Sequence, residues 1–224
     1  MGKKNILLLV FPAILLMCGF SFAQEKTIIP NLSKINNEDY WGIYNRVVSS
    51  KKVNGKPALY LNGQEGDGFV WLKDFEFDNG IIEADIKGKN VQGNSFVGIA
   101  FHGVDDTTYE VVYFRPFNFM SEDSVRKAHA VQYISHPVYT WYKLRKEHPG
   151  KYENTMNPVP DPNSFFHAKI IVEKPKVSVF VNNAEEPSLV VNELSERTGG
   201  WVGLWTGNYS DGTFSNLKIV KKEK

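Results

Sequence analysis

The 224-residue chain has one cysteine, Cys18, and almost no net charge, with 26 Lys and Arg against 25 Asp and Glu. Beyond the first 22 residues it has no apolar run of the about 20 residues that a membrane helix needs. Each shortage excludes something. A lone cysteine excludes an intrachain disulfide and a cysteine-built metal site. A balanced charge lacks the basic footprint that displaces counterions from nucleic acid, so no nucleic-acid partner is expected. Helical periodicity is scarce, which excludes a bundle. There is no His-Glu-x-x-His, no Gly-x-Ser-x-Gly elbow and no Gly-rich loop ending in Lys-Ser or Lys-Thr. The five histidines, His102, His129, His136, His148 and His167, contain no i, i+4 pair, so no metal site is expected from them.

What is present begins with an export segment. Lys3 and Lys4 precede an apolar run from Ile6 to Phe20 broken by Pro12, and Ser21-Phe22-Ala23 supplies a small-x-small cleavage site. This pattern predicts a signal peptide over residues 1–23, removed before Gln24, and a secreted, periplasmic or cell-surface protein with no transmembrane segment. Cys18-Gly19 offers a lipid-anchor alternative, but the bulky Met17 before the cysteine fits a lipoprotein box poorly. Cleavage leaves 201 residues, with 24 basic against 25 acidic side chains and no thiol. Stability must then come from the core, which a chain of this size can supply.

The remainder is read as one domain, residues 24–224, with an irregular lead-in over 24–42. Short strands separated by turn signals dominate. They are expected at 58–62 and 68–72 about Gly63–Asp67, at 81–87, and at 96–102 and 109–115 as a hairpin. Further strands follow at 130–135, at 167–173 and 177–182 as a second hairpin across Lys174-Pro175-Lys176, and at 200–206 and 213–221 joined by a turn. The segment 135–165 breaks this rhythm. It holds Pro137, Pro149, Pro158, Pro160 and Pro162, yet also Tyr139, Trp141, Tyr142 and Arg145. A loop of this length is a candidate lid or a satellite hydrophobic cluster. Ten or more strands without a repeat favour an all-β, two-sheet antiparallel sandwich.

Sheet parity gathers the candidate chemistry. If residues 102 and 109 pair, His102, Tyr109, Val111, Tyr113 and Arg115 share one face with Gly98 and Ala100. Tyr113 offers a flat ring with a polar tip, and Arg115 a rigid fork of donors. Gln132 joins them unless Tyr133 takes its place. Glu110 has the opposite parity, which suits the partner of a cation at the core edge; it is nonetheless the one strand-borne candidate for a catalytic carboxylate. In Gly200-Trp201-Val202-Gly203-Leu204-Trp205, the two tryptophans flank a bare glycine, leaving room for a sugar ring to stack or for a wide core to be filled. Glu83 and Asp85 lie two apart on a strand, as paired acid/base work requires, but a solvated strand face after the Asp78-Asn79-Gly80 turn is the favoured reading of them. Asp105, Asp106 and Asp211 are loop oxygens that could serve calcium. Asn31-Leu32-Ser33 and Asn208-Tyr209-Ser210 are formal glycosylation sequons.

In order along the chain stand Phe77-Asp78-Asn79-Gly80-Ile81-Ile82-Glu83-Ala84-Asp85-Ile86, Gly98-Ile99-Ala100-Phe101-His102 and Tyr109-Glu110-Val111-Val112-Tyr113. Phe166-His167-Ala168-Lys169-Ile170, Val181-Asn182-Asn183, Gly200-Trp201-Val202-Gly203-Leu204-Trp205 and Phe214-Ser215-Asn216-Leu217-Lys218-Ile219 follow. This series resembles the concanavalin A-like lectin/glucanase superfamily, in particular its 3-keto-disaccharide hydrolase and laminin G-like domains. The resemblance implies a jelly roll that holds carbohydrate on one sheet. It implies that the position of His102, where the family carries arginine, faces the ligand. The Glu-x-Asp-x-x-Glu strand of glycoside hydrolase family 16 is incomplete, because Gly88 stands at its third acidic position. The carbohydrate contacts expected are His102, Tyr113, Arg115, Gln132 and Trp205, with Tyr139, Trp141 and Arg145 from the long loop. The alternatives are a hydrolase of a (keto-)disaccharide or polysaccharide, and a laminin G-like adhesion module.

Overall fold

The computed structural model describes residues 25–222. The expected signal peptide and Cys18 lie outside them. In chain order the strands are β1 (Glu25–Ile28), β2 (Trp41–Tyr44), β3 (Val48–Val53), β4 (Lys56–Leu61), β5 (Gly68–Leu72), β6 (Gly80–Lys87), β7 (Val97–Gly103) and β8 (Glu110–Phe114). Two short helices follow, α1 (Pro116–Phe119) and α2 (Ser124–Lys127), then β9 (Val131–Ser135), α3 (Trp141–Glu147) and β10 (Glu153–Asn154). The chain continues through β11 (Phe166–Glu173), β12 (Lys176–Val181), β13 (Leu189–Asn192), β14 (Trp201–Thr206) and β15 (Gly212–Lys222).

These strands form two antiparallel sheets. One has the order β13-β12-β11-β6-β15-β4-β3, with β1 also on β15; the other has the order β10-β9-β8-β7-β14-β5-β2. Period-2 alternation explains the packing. In β6 and β11, Ile82, Ala84 and Ile86 lie opposite Ile170, Ala168 and Phe166 and all are buried. From the other sheet, Phe114 meets Phe166 edge-on at 4.9 Å, which marks the side of β8 that faces the core. Each such aliphatic or aromatic side chain contributes about 1.5–3 kcal/mol by leaving water. Among the described residues no helix is long and apolar enough to cross a membrane.

Three sequence expectations are corrected. The lead-in is not irregular: β1 pairs with the end of β15, a 3-10 turn (Leu32–Lys34) buries Leu32, and Trp41 starts β2. The segments 58–62 and 68–72 belong to different sheets, as do 200–206 and 213–221. Their connecting turns therefore cross the sandwich instead of closing hairpins. The long segment after Ser135 carries a helix, α3, whose first turn is capped when Thr140 Oγ1 accepts from Lys143 N. β7 and β8 pair in the expected register, with Phe101 opposite Glu110, and β11 and β12 form the expected second hairpin.

Glu83 and Asp85 sit on the outward side of the eight-stranded sheet. Glu83 is paired with Lys218 at 3.0 Å and Asp85 with His167 at 2.8 Å. Such partly exposed pairs are worth up to about 1 kcal/mol. Glu83→Gln and Asp85→Asn are each expected to shift unfolding free energy by less than about 1 kcal/mol in urea titration. A larger loss would show that these carboxylates hold more than the sheet surface.

Candidate functional site

One row of residues crosses the outward side of the seven-stranded sheet. Register places Trp205 beside Gly98, Gly98 beside Tyr113, Tyr113 beside Gln132 and Gln132 beside Glu153. Gly98 makes this row possible, because a Cβ there would fall 2.7 Å from Tyr113 Cβ and 2.3 Å from Val112 O. Without it, the Trp205 and Tyr113 rings lie 5.1 Å apart. Arg115 follows at the end of β8, anchored by Arg115 N donating to Ala130 O. Its guanidinium lies 4.7 Å above the Tyr113 ring. Nη2 donates to Tyr113 Oη and Gln132 Oε1, and Nη1 donates to His129 O at 2.9 Å.

All of Arg115's hydrogen-bond partners given by this geometry are neutral, although the residue is only 4% exposed. Burial lowers its pKa, with Arg145 adding to the fall and Tyr113 and Glu153 opposing it. Burial pushes the Tyr113 hydroxyl up to about 12, against the pull of Arg115. Two neighbouring polar atoms, Gln132 Nε2 and Asn118 Oδ1, are buried without a hydrogen-bond partner among the described residues. Such atoms are costly unless something else satisfies them.

Around this floor opens a cleft of about 590 Å³. Helix α3 supplies one wall. Trp141 is 47% exposed, and Arg145, one turn later, lies 5.2 Å from its ring. Glu153 fixes Arg145 through two hydrogen bonds, Nε to Oε1 at 3.1 Å and Nη2 to Oε2 at 2.7 Å. The opposite rim, with Gly207 and Asn208, is held by the buried Arg46, which donates to Thr206 Oγ1, Thr206 O and Gly207 O. Asp67 also lines the cleft and accepts from Tyr109 Oη at 2.6 Å, while His136 stacks on Tyr109 at 4.9 Å. Burial lowers the pKa of His136, with Asp67 pulling it back up.

Of the residues expected from the sequence, Tyr113, Arg115, Trp141, Arg145 and Trp205 line this cleft; Gln132 does not line it and is buried against Tyr113 and Arg115. Tyr139 packs against the core under Lys143 and does not line the cleft. The space beside Gly203 is not open to a ligand, because the Trp71 ring fills it; a Cβ on Gly203 would lie 2.5 Å from that ring. Trp205 is itself nearly buried, so Trp141 is the exposed ring of the set. Sequence reasoning missed Glu153, Asp67, His136 and Arg46. Only tertiary pairing brings these four to the cleft, and no spacing in the sequence signals it.

His102 is the clearest departure. Its register opposite Tyr109 would point it outward, but a bulge against β14 and a left-handed backbone (φ +49) turn it into the interior. There it is fully buried with Glu110. His102 Nε2 donates to Asp78 O at 2.8 Å, while Nδ1 lies 3.4 Å from Glu110 Oε1 and 3.4 Å from Glu193 Oε1. Glu110 accepts from Tyr133 Oη and Ser195 Oγ and meets Arg197 at 3.4 Å. Glu110 therefore faces the interior, away from the cleft, and is not placed to act as a carboxylate there. Burial, aided by Glu110's charge, pushes the Glu193 carboxyl up to about 7.

The loop aspartates considered for calcium are engaged within the chain. Asp105 accepts from Thr107 N and Oγ1, Asp106 from Trp71 Nε1, and Asp211 pairs with Lys89.

No family model matches the chain, and no curated protein matches it. Solved structures do. A carbohydrate-binding module of family 66 from Bacillus subtilis is 15% identical, covering 82% of this chain and 97% of its own, with a TM-score of 0.58. A glycoside hydrolase family 16 endo-glucanase from Bacteroides ovatus is 12% identical, covering 82% and 95%, with a TM-score of 0.52. The exoplasmic/lumenal domain of VIP36, in a calcium- and mannose-bound form, is 12% identical, covering 88% and 89%, with a TM-score of 0.53. The chain thus has the concanavalin A-like lectin/glucanase fold, a two-sheet antiparallel jelly roll.

Proposed function

We propose that this is an exported, single-domain carbohydrate-binding protein whose ligand lies in the cleft between α3 and the Gly207–Asn208 rim. The carrying observation is the floor itself. A buried guanidinium with neutral partners stands beside two orphaned amide atoms, under an exposed tryptophan. A sugar presents hydroxyls that both donate and accept, and an apolar C–H face that suits an indole ring. Its hydroxyls would supply what Asn118 Oδ1 lacks at the cleft wall. The kinds of protein that share the fold, a carbohydrate-binding module and an endo-glucanase among them, support the same class of ligand.

Binding is favoured over hydrolysis because the acids near the cleft are already held, Asp67 by Tyr109 and Glu153 by Arg145. Hydrolysis of either stereochemical kind uses two carboxylates free to flank the bond. The test is a glycan array followed by pull-down on insoluble polysaccharides. Retention on at least one saccharide is expected, without release of reducing ends. Failure to bind any saccharide, with capture of a protein partner instead, would replace this reading with the adhesion-module alternative.

A further inference from the structure

The interior cluster about His102 serves no part of the cleft, yet it is the most unusual polar group of the protein. Among the described residues it is the one grouping of three or more His, Cys, Asp or Glu side chains whose possible ligand atoms all lie within 4.8 Å of one another. We propose that His102 Nδ1, Glu110 and Glu193 form a buried site for one divalent transition-metal ion of the zinc type.

Asp78 O can only accept, so His102 Nε2 must carry the proton. In the neutral ring, Nδ1 then presents a lone pair. That lone pair points between two carboxylate oxygens, 3.4 Å from each. Three acceptors converge there, and 3.4 Å is too long for a good hydrogen bond. A backbone carbonyl fixing one ring nitrogen so that the other faces a metal is a recurrent second layer of metal sites.

The Glu193 side chain is 1% exposed, yet among the described residues neither carboxylate oxygen has a hydrogen-bond partner. A buried carboxylate in that condition is strongly disfavoured unless a cation faces it. The nearby guanidinium of Arg197 lies 3.4 Å from Glu110 and donates to Ser135 Oγ; its charge, like that of Lys174, acts on Glu193 from a distance without a hydrogen bond to it.

Zinc holds nitrogen and oxygen ligands at about 2.0–2.1 Å, and a tetrahedron of that size has edges of about 3.3–3.4 Å. The two measured His102–carboxylate separations match that edge. One imidazole with two carboxylates suits zinc or a neighbouring first-row ion. Ser195 Oγ, against Glu110, is the adjacent donor for a fourth position. The bulge that turns His102 inward, and the crossing of Glu193 out of β13, place the site where both sheets and the 193–199 segment meet, so a bound ion would tie them together.

The experiment is a Zn²⁺ titration of the chelator-stripped full chain by calorimetry, with thermal unfolding in parallel. One Zn²⁺ per chain and a higher unfolding temperature are expected. Glu193→Gln, which keeps the shape, is expected to weaken Zn²⁺ affinity by about 100-fold or more. His102→Asn is the second variant, because asparagine tolerates a positive φ and so preserves the bulge while removing the imidazole. It should weaken binding similarly, with an unchanged circular dichroism spectrum. The proposal is overturned if the stripped wild-type chain takes up no Zn²⁺, as it would if His102 were simply an imidazolium shared by two carboxylates. It is equally overturned if both folded variants bind Zn²⁺ as the wild type does. Saccharide retention is read separately, so this outcome and that of the cleft are distinguishable.

Discussion

Trp141→Ala is expected to reduce saccharide affinity about ten- to seventyfold while leaving the unfolding midpoint nearly unchanged. The two effects separate because the ring is 47% exposed and stands at the first turn of α3, where alanine is a good helix former. Covering an aromatic face with the apolar side of a sugar removes about 60–100 Å² of apolar surface from water, worth about 1.5–2.5 kcal/mol. That energy corresponds to the stated loss. The stacking partner of the ring, Arg145, keeps its position through its paired hydrogen bonds to Glu153. Affinity gel electrophoresis and calorimetry against the saccharide found on the array give the binding loss, and urea unfolding gives the stability. A destabilised Trp141→Ala protein with undiminished affinity would assign the tryptophan to packing instead.

Arg115→Met is expected to abolish most binding without destabilising the fold, and the reason lies in what Arg115 leaves behind. Tyr113 Oη still donates to Gln132 Oε1 at 2.7 Å, and His129 O still accepts from Asn118 Nδ2 at 3.3 Å. No principal partner is orphaned, and methionine fills much of the volume. Removal of a buried charge with no hydrogen-bonded acid is then neutral or stabilising. The ligand, in contrast, loses a charged donor. Hydrogen bonds to charged groups contribute about 1.5–3 kcal/mol, so affinity should fall about tenfold to more than a hundredfold. Calorimetry on the variant checks the first half, and its urea midpoint checks the second. Unchanged affinity would remove Arg115 from the binding floor. A guanidinium kept at some cost in stability is the expected mark of a functional residue.

Much of the architecture was legible in the sequence. Ile82, Ala84 and Ile86 alternate against Glu83 and Asp85, and alternation of that kind states which side of a strand meets the core. The β7–β8 hairpin was readable because its register follows from the same alternation, and that register brought Tyr113 and Arg115 to one face. The helix at Trp141–Glu147 was hidden by the prolines around it, although Thr140 was a visible cap. β1 and β2 were hidden because their neighbours are distant in sequence: β1 needs β15, and β2 needs β5. His102 misled because parity arguments assume an unbroken strand, and a single left-handed residue reverses the face.

By itself the sequence determined an all-β sandwich and one aromatic, arginine-bearing face, since a period of two encodes burial directly along each strand. Only the tertiary structure decided which polar groups meet. Trp141 and Arg145 reached Tyr113 and Arg115 because β10 brings Glu153 beside Gln132, where it holds Arg145. Glu193 reached His102 and Glu110 because the end of β13 returns to the seven-stranded sheet across the interior. Such encounters join residues up to about ninety positions apart. No local period carries information over that distance; closure of the two sheets does.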